Sequence, residues 1–108
     1  MTGAERIAAE RQRQVDSEGW TAEHDDEHLG GIMAQAAACY AVATVPRYAG
    51  CFPVAWPWSP QWDKRPLGPG ASSTDARVRA LEKAGALIAA EIDRLLRRQE
   101  RFEREEGR

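Results

Sequence analysis

VRALEKAGALIAAEIDRLLRR, Val78–Arg98, decides the fold. Val78, Leu81, Gly85, Ile88, Ala89, Ile92, Leu95 and Leu96 recur at three-and-four spacing, so they lie on one face of a helix. Ser72 or Ser73 can cap its start, with Asp75 in the first turn near the positive end of the helix dipole. The pattern predicts a helix over about 75–104. Thirty residues of helix reach about 45 Å, more than a chain of this size needs to close a globule. The terminal RRQERFEREEGR is therefore expected to project or to pair with another chain, and a homo-oligomer is expected.

Upstream, residues 44–74 differ sharply in composition. They hold all six prolines, three of the nine glycines and three of the four tryptophans. Proline disfavours regular helix, and the aromatic content argues against plain disorder. An ordered, irregular loop whose tryptophans cover the helices is expected, with a flexible tip at LGPGASS. Before it, Ile32, Met33, Ala36, Ala37 and Tyr40 recur at helical spacing, which predicts a helix over about 27–43. Gly30 and Gly31 weaken its first turn by roughly 1 kcal/mol each relative to alanine. Residues 4–18 predict the first helix, with Thr2 and Glu5 spaced as a capping box and Gly19 as its stop. The fold class expected is all-α: a single helical domain over 1–108 with two shorter helices, a Pro/Trp-rich loop and one long C-terminal helix.

Between the first two helices lies EGWTAEHDDEH, Glu18–His28, with five carboxylates, both histidines of the chain and Trp20. The bland reading is a helix start, with Asp25 or Asp26 accepting backbone N–H bonds. A second reading is one wall of a ligand pocket. A third is a divalent metal held by His24, Asp25 and His28. The HxxxH spacing puts both rings on one helical face, but the residue after His24 is Asp25, not the glutamate of the HExxH motif. Trp56, Trp58 and Trp62 either complete a core poor in other bulky residues or stack on a base, with Arg47, Lys64 and Arg65 near enough in sequence to meet phosphates. Glu91, Asp93, Arg94, Arg97 and Arg98 fit ordinary pairing along the polar side of the long helix.

Several function classes have nothing to rest on. The formal net charge of −2 gives no general pull toward a nucleic-acid polymer or an anionic membrane. No run approaches a bilayer-spanning length, and MTGAERIAAERQ has no apolar signal-peptide core. Cys39 and Cys51 form neither a CxxC nor a Cys/His ladder. Free thiols in a bacterial cytoplasm are expected, a Cys39–Cys51 disulfide being the alternative. G-x-S-x-G, P-loop and GxGxxG motifs do not occur.

In this order, ERQRQVDSEGWTAEHDDEH, AAACYA, WPW…W and KAGALIAAEIDRL resemble a family of small phage- and prophage-encoded proteins and the C-terminal module of Ead-like phage accessory proteins. The resemblance covers roughly residues 5–45, 56–63 and 77–96. Two stretches depart from the family pattern: Gly31-Ile32-Met33 stands where the family has Gly-Glu-Leu, and WDKRPLGPGASSTDAR is longer than the family's Trp-Lys-Pro and basic run. The resemblance implies an accessory role in a bacterial host, of the kind that counters host defence, without delivering a reaction. The leading expectation is a non-enzymatic protein that binds a small nucleotide-like ligand. Arg6, Arg11 and Arg13 would meet phosphates, Trp20 and Trp56 would stack, and His24 and Asp25 would meet ribose or base edges. Two alternatives stand beside it. One is a Mg2+-dependent nucleotide pyrophosphohydrolase similar to the all-α MazG enzymes, with His24, Asp25, Asp26 and Glu91 as its site. Against it, Glu5 and Glu91 do not sit in that family's paired carboxylate pattern. The other is a helical module that binds and inhibits a host protein.

Overall fold

The computed structural model describes residues 1–48, 54–66 and 70–107. They form four α-helices: α1 Gly3–Glu18, α2 Ala22–Asp26, α3 Ile32–Ala43 and α4 Thr74–Glu106. Two single 3-10 turns, Pro46–Tyr48 and Pro60–Trp62, punctuate the connection between α3 and α4. No strand occurs among the described residues. The chain is all-α, as its periodicity requires.

Local chemistry sets the helix ends. Thr2 accepts from the Glu5 amide while the Glu5 carboxylate accepts from the Thr2 amide, so the capping box closes as the spacing demands. Gly19 stops α1 in the left-handed region, at φ 72°. Ser73 caps α4 by accepting from the Ala76 amide. The helix expected over 27–43 begins instead at Ile32. Gly30 and Gly31 both take left-handed φ, 72° and 76°, so they break the backbone direction rather than weaken a first turn. The residues before them form the separate short helix α2, capped by the Thr21 hydroxyl on the His24 amide and by neither Asp25 nor Asp26.

α4 is the spine, and α1, α2 and α3 each pack on it. The buried core joins Met33, Ala36, Ala37 and Tyr40 of α3 to Ala80, Ala84, Leu87 and Ala90 of α4. This corrects the face read from the sequence. Leu81, Ile88, Ile92, Leu95 and Leu96 are half exposed, and the packed row is Ala80, Ala84, Leu87, Glu91 and Arg94, one residue earlier. One residue is about 100° of rotation around a helix. Two alanine-rich helices approach most closely through their smallest side chains, so the alanine row faces inward and the bulky row turns outward. Gly85 lies at the closest approach of α1: an added Cβ there would sit 2.5 Å from Ile7 Cδ1. Glu91 and Arg94 are buried together, with Arg94 Nε donating to Glu91 Oε1 at 2.5 Å.

Trp20, Trp56 and Trp58 pack against this core while only partly buried. Gln35 Nε2 donates to the Ala55 carbonyl at 2.6 Å, and the Lys64 amide donates to the Tyr40 hydroxyl at 3.1 Å. These bonds pin the aromatic segment over α3, so the expected ordered loop is present in residues 54–66. Cys39 carries a free, buried thiol whose pKa burial pushes up. Cys51, the Arg47 side chain and part of the expected flexible tip lie outside the described residues. No helix among the described residues is long and apolar enough to cross a membrane.

Candidate functional site

α1, α2, α3, α4 and the 54–66 segment line a half-open cavity of about 720 Å3. That is within the range of small-molecule sites. All four tryptophans of the chain line it, together with His24, His28 and Tyr40. The rings interlock. Trp20 stacks on His24 with centroids 5.8 Å apart and planes 5° from parallel. His24 meets His28 edge-on at 4.7 Å, and His28 meets Trp58 at 5.3 Å. Trp58 returns to Trp20 at 6.3 Å and closes the circuit. On its other side Trp58 packs edge-on against Trp56 at 5.6 Å, and Trp56 against Tyr40 at 5.6 Å. Edge-on and offset contacts suit the quadrupoles of these rings and hold the wall without a continuous aliphatic core.

The polar groups of the wall fall into two sets. The first is internally neutralised. Glu10, although buried, is ringed by cations: Arg13 Nε at 2.7 Å, Arg13 Nη2 at 2.9 Å and Arg79 Nη1 at 2.7 Å. Burial pushes its pKa up, but the Arg13 and Arg79 bonds outweigh this and hold it down to about 2. Arg13 also reaches Glu18 at 3.1 Å. Asp25, 1% exposed, accepts from Arg11 Nη2 at 2.5 Å, and Arg11 also donates to the Trp20 carbonyl. The other Asp25 oxygen lies 3.3 Å from His24 Nδ1. A proton on that nitrogen leaves His24 Nε2 as the acceptor for His28 Nε2, 3.4 Å away. Burial, reinforced by the neighbouring His24, lowers the pKa of His28.

The second set is cationic and makes no direct ion pair. Lys64 and Lys83 line the cavity, and neither forms an ion pair with a carboxylate among the described residues. Lys83 Nζ sits 5.7 Å from the Tyr40 ring centroid, a cation–π distance. Burial, with the nearby Arg79, lowers its pKa.

The residues singled out in the sequence divide accordingly. Arg13, Trp20, His24, Asp25 and Trp56 line the cavity, and His28 joins them. Arg6 does not: it pairs with Glu82 on the surface at 3.2 Å. Arg11 lies behind the wall, spent on Asp25. The proposed enzyme carboxylates are not gathered. Asp25 is tied to Arg11, Asp26 to Arg97 at 2.8 Å and Glu91 to Arg94, and neither Asp26 nor Glu91 lines the cavity. The three-residue metal set of His24, Asp25 and His28 is not assembled either, because Asp25 faces Arg11 and the outer edge of His24. Among the described residues no group of three or more His, Cys, Asp or Glu is placed to hold a metal ion.

Glu10, Gln14 and Lys83 are lining residues that the sequence reading did not single out. The i,i+4 pair of Glu10 and Gln14 inside ERQRQ is the available signal, since it places an acid and an amide on one face. ERQRQ reads as a solvated surface face only while α1 is considered without α4.

No known family, characterised protein or solved structure matches this chain.

Proposed function

We propose that this chain is a phage accessory protein that binds and sequesters a small nucleotide-like ligand, with countering host defence as its role. One observation carries the ligand reading: a single cavity walled by every tryptophan of the chain also holds two lysines without a carboxylate partner, Lys64 and Lys83. Indole faces stack on flat heterocycles at about 1–3 kcal/mol per base, and ammonium groups without a carboxylate partner attract phosphate. Arg13 can contribute a third cation, already oriented by Glu10 and Glu18. A purely structural aromatic cluster has no use for a half-buried lysine such as Lys83, whose charge is penalised by desolvation. Phage origin and counter-defence rest on the sequence resemblance alone.

Calorimetric titration with cyclic mono- and dinucleotides, nucleoside monophosphates and ADP-ribose tests the ligand reading. Binding is expected for at least one member of the panel, weakened at least tenfold by Lys83→Ala. A panel that gives no heat, repeated at a second temperature, removes the proposal.

Self-association is part of the same reading. Ile88, Ile92, Leu95 and Phe102 are half exposed along α4 at alternating three-, four- and seven-residue intervals, the spacing of a coiled-coil seam. A parallel second copy would set Arg98 of one chain beside Glu103 of the other, the charge pairing that flanks such seams. Native mass spectrometry reads the assembly directly.

A further inference from the structure

Two buried side-chain atoms among the described residues have no hydrogen-bond partner, Gln14 Oε1 and Trp58 Nε1, and both residues line the same cavity. Buried polar atoms are paired in the great majority of folded proteins, so two orphans at one site call for an explanation. One is a pure acceptor and the other a pure donor.

The geometry around Gln14 fixes which atom is free. Gln14, 2% exposed, donates from Nε2 to Glu10 Oε2 at 3.3 Å. Glu10 accepts from Arg13 and Arg79 and is ionised over the whole neutral range. An ionised carboxylate can only accept, so the amide must turn its nitrogen toward Glu10 and its oxygen away. The flipped amide would set oxygen lone pairs against a carboxylate. The acceptor character of the Gln14 end of the cavity is therefore built in by the ion cluster behind it. Trp58 is fixed just as firmly, since its ring is wedged among Trp20, His28 and Trp56. Its neighbour Trp56 differs in having its Nε1–H satisfied by the Ser59 carbonyl at 3.1 Å.

We infer that Gln14 and Trp58 read the edge of the ligand ring: the ligand is a flat heterocycle that presents an N–H donor to Gln14 Oε1 and a ring or carbonyl acceptor to Trp58 Nε1. Amino-substituted nucleobases carry this donor–acceptor edge. Rings with acceptors alone satisfy Trp58 and leave Gln14 bare. The inference rests on the nucleotide-like reading of the cavity and adds the feature by which the site chooses among such ligands.

Two matched pairs of probes test it by calorimetry. Adenosine 5′-monophosphate is compared with purine riboside 5′-monophosphate, and cytidine 5′-monophosphate with its 4-deamino pyrimidinone counterpart. Each pair differs only in the exocyclic amine. In at least one pair the amino member should bind about tenfold to a hundredfold more tightly, the cost of leaving a buried acceptor unpaired. Gln14→Leu, which keeps the volume and removes the acceptor, should bring the members of that pair to within about twofold. Trp58→Phe keeps a ring in place and removes the donor, so it should weaken both members alike. Should Gln14→Leu fail to fold by circular dichroism, the wild-type comparison and Trp58→Phe still decide. Equal binding within both pairs overturns the edge assignment and leaves the nucleotide reading standing. Binding elsewhere in the wider panel with none of these four bound overturns the edge assignment alone. No binding of any nucleotide overturns both.

Discussion

Glu10 is the residue on which most of the site turns. It is a buried carboxylate held by two arginines, and it orients the amide of Gln14. Its folded pKa of about 2 lies below its ordinary 4.5, so the folded state prefers the ionised form. The stability this supplies is complete above pH 4.5 and is lost as the pH falls from there toward 2. Both arginines are partly solvated, which screens the pair, so roughly 1–2 kcal/mol should disappear across that window. Urea unfolding of the wild type and Glu10→Gln at pH 7 and pH 3 measures it: the wild type should lose more stability than the variant. His28 acts at a higher pH and in the same direction. Its pKa is depressed from 6.5 by burial and by His24, so the folded state disfavours its charged form. Stability should decline as the pH drops below about 6.5, and His28→Gln should flatten that decline. Thermal melts between pH 7.5 and 5.5 read the difference.

Among the helices, the contact of α1 with α4 depends on a missing side chain. Gly85 would lower the stability of an isolated helix by roughly 1 kcal/mol relative to alanine. Here Ile7 occupies the space its Cβ would take, with Cδ1, Cγ1 and Cγ2 at 2.5, 2.7 and 3.1 Å. The whole isoleucine, not only its tip, would have to move. Gly85→Ala should therefore destabilise the fold by about 1–3 kcal/mol despite its better propensity, and adding Ile7→Ala should restore part of the loss. Denaturant midpoints of the wild type and the two variants settle the sign. At this scale the sequence was legible where a signal is local. The Thr2–Glu5 box, the Gly19 stop and the Ser73 cap need only neighbours along the chain. α2 was hidden because five residues cannot display a helical period, and its cap, Thr21, precedes no apolar run. The face of α4 was misread because periodicity marks where large side chains recur, while close packing of helices is decided by where small ones do. The candidate site was half legible. Its aromatics and EGWTAEHDDEH are conspicuous in composition, whereas Glu10, Gln14 and Lys83 acquire meaning only once α1 and α4 lie side by side.

Over the whole molecule, the description is of an elongated body, 57 × 31 × 22 Å, with α4 running along it. The outward row of Leu81, Ile88, Ile92, Leu95, Leu96 and Phe102 is more exposed apolar surface than a small monomer ordinarily carries in one line. If a second copy covers it, Ile92→Lys with Leu95→Lys should shift the native mass toward the 12.0 kDa protomer without loss of helix by circular dichroism. An unchanged mass in that variant would refute this seam. The gathering of all four indoles around one cavity has a further consequence, of an optical kind. No tryptophan elsewhere in the chain contributes background emission, and imidazole rings already touch two of the four fluorophores. The tryptophan emission of this protein is thus emission from its cavity. Whatever enters between those rings will alter quenching and peak wavelength together, so the chain comes with its own label-free sensor of occupancy.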